Sequence, residues 1–131
     1  MPAIVYIDRS VIRSPDIAGL RQALAGLTEF VREREPQLLL YGFEIDEQTA
    51  TMRVIAVHPD AASLALHLSI GGPEFRKVGA YIELQEILVF GTPTDTVRQQ
   101  LLDKAAMLGT DARVHVGELA SGFDRISAIG R

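Results

Sequence analysis

The apolar and polar positions fall into short, well-punctuated segments. β-Branched Ile4, Val5 and Ile7, with Tyr6 between them, predict a strand over Ala3 to Arg9. Ser14-Pro15-Asp16 then reads as a helix start, with Ser14 as N-cap and Pro15 in the first helical position. Ile17, Leu20, Leu24, Leu27 and Val31 recur at helical spacing and form one apolar stripe, and Pro36 ends the helix. From Leu38 to Asp46 the period switches to two, with Leu39, Tyr41, Phe43 and Ile45 on one face. Asp46 to Thr49 reads as a hairpin connection. The chain returns over Ala50 to His58 with Met52, Val54, Ala56 and His58 on one face and Thr51, Arg53, Ile55 and Val57 on the other.

The stretch after Pro59 carries two signals. Leu64, Leu66, Leu68 and Ile70 alternate as in a strand. Asp60 as a cap, the alanines, and the Leu64/Leu68 pair at i,i+4 instead favour a helix, which is the reading adopted. Pro73 opens a further short helix through Val78. Glu83 to Phe90 reads as a strand with Leu84, Leu88 and Phe90 on one face, interrupted by Glu86, and Ile87 and Val89 on the other. Thr92-Pro93-Thr94-Asp95 signals a helix start, with Thr92 as the cap, Pro93 in the first position and an acidic third residue, followed by Val97, Leu101, Ala105 and Leu108 inward and ended by Gly109. Ala112, Val114 and Val116 alternate in a short final strand. The order β-α-β-β-α-β is the ferredoxin-like arrangement, an α+β fold with an antiparallel sheet and helices on one face, followed by an appended α-β unit.

The 131 residues suit one domain (core 3–91, C-terminal helix and strand 92–117, tail 118–131). The formal net charge of −4 argues against nucleic acid as a partner. The N-terminus shows no basic region followed by a long apolar stretch, and no segment is apolar enough to span a membrane, so a cytoplasmic protein is expected. The chain has no Cys, which removes thiolate chemistry, disulfides and cysteine metal sites. His58, His67 and His115 match no metal-binding spacing, and no metal or cofactor is expected. Ser69, Ser121 and Ser127 lack an evident base, and Gly71-Gly72-Pro73 lacks the Lys of a phosphate loop. Apolar residues on both faces of the strands, such as Leu38 and Leu40 opposite Leu39 and Tyr41, exceed what helices on one side can cover. A homodimer through the sheet face is the expected remedy.

The run Val57-His58-Pro59-Asp60-Ala61-Ala62-Ser63-Leu64-Ala65-Leu66-His67 closes a strand, turns at Pro-Asp and opens a helix bearing a His seven residues after the Asp. It resembles the third strand and second helix of the antibiotic-biosynthesis-monooxygenase-like domains of the dimeric α+β barrel group. The resemblance implies a barrel closed across a dimer and oxygenation of a small aromatic or quinol-like ligand without metal or flavin. The family commonly places a Glu and then an aromatic residue before the turn. Here those positions hold Ala56 and His58. The haem-degrading branch uses a Trp, and this chain has none.

An imidazole can take a proton from a phenol near neutral pH, which makes His58 and His67 the candidate bases. The plainer reading of the two is a helix His bonded to backbone and a strand-end His facing solvent. Arg53 and Glu86 are candidates for holding and tuning an anionic substrate, or simply an inter-strand ion pair. Tyr41 and Tyr81 are candidates for an aromatic cleft, or plain core. The resemblance therefore implies a cofactor-independent monooxygenase, with a non-catalytic ligand-binding or dimerisation module on the same fold as the alternative.

Overall fold

The computed structural model describes residues 3–126. Met1, Pro2 and residues 127–131, Ser127 among them, lie outside the described residues. The elements are β1 (Ile4–Ile12), α1 (Ile17–Arg34), β2 (Leu40–Asp46), β3 (Thr51–His58), α2 (Ala61–Ile70), α3 (Gly72–Gly79), β4 (Ile82–Phe90), α4 (Asp95–Leu108) and β5 (Arg113–Gly117). The sheet order is β2-β3-β1-β4-β5. β1 lies antiparallel between β3 and β4, and β2 pairs antiparallel with β3. This is the expected ferredoxin-like α+β sheet. β5 extends it by running parallel to β4, with α4 as the crossover.

β1 shows strict alternation: Ile4, Tyr6, Asp8, Ser10 and Ile12 are buried, and the residues between them are half-exposed. Met52, Val54, Ala56 and His58 of β3 share that inner face. Leu20, Leu24, Leu27 and Val31 of α1 and Val97, Leu101 and Ala105 of α4 close over it. The α1 stripe from Leu20 to Val31, the α4 stripe from Val97 to Ala105 and the inner face of β3 are thus buried as read from the sequence.

Three local expectations are corrected. α1 is capped by Asp16, whose carboxylate accepts from Gly19 N, rather than by Ser14. α4 is capped by Thr94, whose Oγ1 accepts from Val97 N, rather than by Thr92. In both cases the proline lies one residue before the cap instead of in the first turn, and the short polar side chain after it satisfies the helix N–H groups.

The third correction concerns β4. Arg9 pairs with Glu86 and Ser10 with Leu84, so Gln85 is an extra residue in a β-bulge. The bulge resets the alternation. Ile82 and Leu84 face the helices together with Ile87 and Val89, and Glu86 faces away with Leu88 and Phe90. A fixed period of two had grouped Leu84 with Leu88 and Phe90, and one inserted residue is enough to break that grouping.

Candidate functional site: a polar cluster inside the core

The space between sheet and helices contains charge. Asp8, Ser10, Glu35, His58, Ser63, His67 and Lys104 are all buried. Polar groups removed from water are costly unless they are paired, so their partners reveal how the cluster is built.

His67 and Glu35 form its tightest pair. Both Glu35 carboxylate oxygens lie against His67 Nδ1, at 2.9 and 2.8 Å, with Glu35 only 2% and His67 1% exposed. Glu35 follows the last turn of α1, where its own N–H donates to Val31 O. His67 sits in the last turn of α2. A carboxylate is an acceptor, so the His67 proton resides on Nδ1 and the lone pair on Nε2. No described residue hydrogen-bonds that Nε2. Burial pushes the His67 pKa down, while the hydrogen bond to Glu35 opposes the shift.

His58 ends β3 just before the Pro-Asp turn. Asp60 caps α2 by accepting from Ser63 N at 2.9 Å. Ser63 and His67 are one helical turn apart and project from the same side of α2. Ser63 Oγ meets His58 Nδ1 at 2.7 Å and accepts from Gln37 Nε2 at 3.1 Å. His58 Nε2 is buried with no partner among the described residues. Burial, reinforced by nearby His67 and Lys104, pushes the His58 pKa down to about 3, so its ring is neutral at ordinary pH.

A second charged pair lies across the cluster. Lys104 Nζ is 3.5 Å from Asp8 Oδ2, and Tyr6 Oη donates to the same oxygen at 2.5 Å. The ammonium also sits 4.7 Å from the Tyr6 ring centre and 4.3 Å from that of Phe75. Burial lowers the Lys104 pKa and Asp8 partly restores it. The Phe75 ring is 5.3 Å from the His67 ring, and Tyr41 is 5.2 Å from His67 on another side. Phe75 and Tyr41 are thus the aromatic walls of the cluster. Burial holds the Tyr41 hydroxyl protonated, well above its usual pKa.

Two spaces adjoin the cluster at Tyr41. A chamber of about 30 Å³, lined in part by Asp8, Ser10, Tyr41, Phe75 and Lys104, has room for water-sized molecules. A cavity of about 270 Å³ lies between the end of α1 and β2 and is reached by Glu35, Tyr41, Arg32 and Leu38. Tyr41 is the wall shared by both. Among the described residues, no group of three or more His, Asp or Glu side chains is arranged to hold a metal ion.

Of the residues singled out from sequence, the structure brings His58, His67 and Tyr41 together. The His58 and His67 ring centres are 5.5 Å apart. The other three lie elsewhere. Arg53 is on the outer sheet face, bonded to Glu44 Oε1 at 2.6 Å. Glu86 is on the same face, 3.6 Å from Arg9 rather than beside Arg53. Tyr81 packs its hydroxyl at the start of α1, where a Cβ added to Gly19 would come within 2.9 Å of it. Sequence reasoning missed Glu35, Asp8 and Lys104, although each had a signal. Asp8 interrupts the inward set of β1, Lys104 lies seven residues after Val97, and Glu35 lies four after Val31 on the α1 stripe.

The outer face of the sheet is largely apolar at one end. Val5, Ile7, Leu88 and Phe90 are half-exposed, and Leu40 and Ile55 are exposed. A groove of about 810 Å³ runs there between Val5, Ile7 and Phe90 and the tail residues Leu119 and Phe123. Among the described residues, no helix is long and apolar enough to cross a membrane.

No family model and no curated protein matches the sequence. Solved structures do match. The chain is similar to MupZ from Pseudomonas fluorescens with a TM-score of 0.74 and 19% identity, over 99% of this chain and 100% of that one. It is similar to SnoaB, a cofactor-independent oxygenase from Streptomyces nogalater, with a TM-score of 0.60 and 15% identity, over 72% and 96%. A third similar structure is an antibiotic biosynthesis monooxygenase, with a TM-score of 0.55 and 22% identity, over 66% and 92%. The chain shares the fold of these structures.

Proposed function

We propose that the protein is a cofactor-independent monooxygenase of a small phenolic or quinol-like substrate, with the Glu35–His67 pair as its base. The observation that carries this reading is a buried imidazole held by a carboxylate at Nδ1, with no described residue hydrogen-bonded at Nε2. His58 is the weaker candidate. With a pKa of about 3 it retains a proton poorly at neutral pH, so its role is to position α2 through Ser63. The substrate ring occupies the cavity beside Glu35 and Tyr41. With Tyr41 swung aside, that cavity and the inner chamber approach the roughly 300 Å³ at which ligand pockets begin. The similarity to a cofactor-independent oxygenase supports the same reading.

The chemistry closes without an external reductant. The pair takes the phenolic proton. The phenolate passes one electron to dioxygen, and the resulting radical and superoxide combine at a ring carbon bearing hydrogen. The peroxide O–O bond then breaks, leaving a carbonyl on the substrate and releasing water, whose two hydrogens come from the substrate. Oxygen uptake with a series of one- and two-ring quinols tests this. His67→Gln should lower the rate by roughly 10²–10⁴, the contribution expected of a general base. Unchanged turnover in a His58→Ala/His67→Ala double variant would remove both residues from the mechanism.

The small size of the inner chamber favours one rival, a non-catalytic binding module on the same fold. That reading predicts ligand binding with no oxygen consumption above buffer.

A second copy of the chain covers the outer sheet face in this proposal, because an exposed apolar face built from Leu40, Ile55, Ile7 and Phe90 needs a partner. Light scattering at micromolar concentration should give a dimer mass, and Ile55→Glu should shift it to the monomer. A strictly monomeric wild type would overturn the dimer.

A further inference from the structure

The outer sheet face is apolar over two rows of side chains. In register across the strands, Leu40, Val57, Val5 and Phe90 form one row, and Ile55, Ile7 and Leu88 form the next. The third row is charged, with Arg53 bonded to Glu44 and Glu86 beside Arg9. Strand spacing of about 4.8 Å and a same-face repeat of about 6.8 Å give the two apolar rows roughly 24 by 14 Å, or about 340 Å². A stable protein–protein interface buries about 800 Å² on each partner. The apolar rows supply well under that, so a lasting dimer needs further apolar surface.

The segment after β5 offers it. Leu119 and Phe123 are 68% and 77% exposed, the two most exposed large apolar side chains among the described residues. They are not on a loose end. Gly91 N donates to Gly117 O at 2.9 Å and Thr92 Oγ1 to Glu118 Oε1 at 3.2 Å, which fixes the start of the segment to the end of β4. Ala3 N donates to Asp124 Oδ2 at 2.7 Å, which fixes its far part to the start of β1. The Arg125 guanidinium lies 4.6 Å from the centre of the Phe123 ring and covers one side of it. A segment pinned by polar bonds at both ends thus presents its apolar side chains outward. It does so along the groove of about 810 Å³ whose other wall is Val5, Ile7 and Phe90, continuous with the apolar rows.

We propose that residues 118–126 are the clasp of the homodimer, with Leu119 and Phe123 of each copy packed into the groove of the other. The inference rests on the second copy covering the outer sheet face, as proposed above. A twofold axis makes the contact reciprocal, so each clasp both fills a groove and lines one. Extended, the segment spans about 30 Å, enough to add a strip of contact comparable to the two apolar rows.

Sedimentation equilibrium over a concentration series gives the dimer Kd of the wild type and of Leu119→Ser/Phe123→Ser. The Kd should rise at least tenfold in the variant. A Kd within twofold of wild type would overturn the clasp and leave the dimer standing. Wild type that stays monomeric at every concentration would overturn the dimer, and the clasp with it. The same two substitutions in an Ile55→Glu monomer should leave the urea midpoint unchanged, because both side chains are exposed in the single chain. A lower midpoint there would show that the segment serves its own sheet, against the clasp. The chain has no Cys, so separately prepared Phe123→Cys and Ile7→Cys proteins, mixed and oxidised, should give the mixed disulfide between copies. Its absence from an intact dimer would overturn the groove as the seat of Phe123.

Discussion

Replacing His67 by alanine should destabilise the protein by about 3–5 kcal/mol, because it leaves the Glu35 carboxylate buried without its partner. Glu35 spends both carboxylate oxygens on His67 Nδ1 and is shielded from solvent. Without His67 it must stay charged in an apolar surround or take up a proton, and either is costly. The loss should be non-additive. A Glu35→Leu/His67→Leu variant removes both polar groups and should recover much of the stability, because the penalty belongs to the orphaned partner and not to the absent bond. Urea denaturation of the singles and the double gives the coupling energy. Simple additivity would mean that the two side chains do not act as a pair. Glu35→Gln is the milder change: the amide oxygen still accepts from Nδ1, but the charge that favours the imidazolium is gone. It should keep most of the stability and lose much of the activity.

The second large effect is acid lability. The His58 pKa is about 3 in the folded protein, against 6.5 ordinarily, because burial disfavours its charged form. Below pH 6.5 the unfolded chain takes up a proton at His58 that the native protein refuses, so the unfolded state binds more protons and stability falls with pH. Its contribution is intact above about pH 6.5. It declines by about 1.4 kcal/mol per pH unit toward the folded value near 3. Burial pushes His67 in the same direction and steepens the slope. His58→Asn, which retains an oxygen or amide toward Ser63, should be less stable at pH 7 but show a shallower decline between pH 6.5 and 4. Denaturation midpoints measured across that range decide it. An unchanged slope would mean that His58 is not kept neutral by burial.

Most of the architecture was legible from pattern because it depends on neighbours in sequence. The α1 stripe from Leu20 to Val31 and the inner face of β3 from Met52 to His58 are local periodicities. The ambiguity at Leu64 to Ile70 was resolved by one residue, Asp60, whose side chain caps α2. The bulge at Gln85 was not legible, since nothing in that strand alone reveals the extra residue; it is defined by the register against β1. The site divides along the same line. His58 and His67 stood out because they flank a turn. Of their partners, Ser63 is local, but Glu35 comes from the end of α1, and the Lys104–Asp8 pair joins α4 to β1. A charged residue on a helical stripe, as at Lys104, reads as a break in the pattern until a second one is found across the core. Arg53 and Glu86 show the opposite case. Their place among apolar neighbours drew attention, yet both point to the outer face and pair along the sheet.

The central claim is that a carboxylate-held histidine inside this fold activates a phenol for direct reaction with dioxygen. Its most direct test is turnover of a quinol that the protein consumes, under oxygen-18 gas, with product and water analysed by mass spectrometry. The account predicts one labelled oxygen atom in the product, one in water, one dioxygen consumed per product, and a rate that collapses in His67→Gln. Label absent from the product, or a rate indifferent to His67, would contradict it.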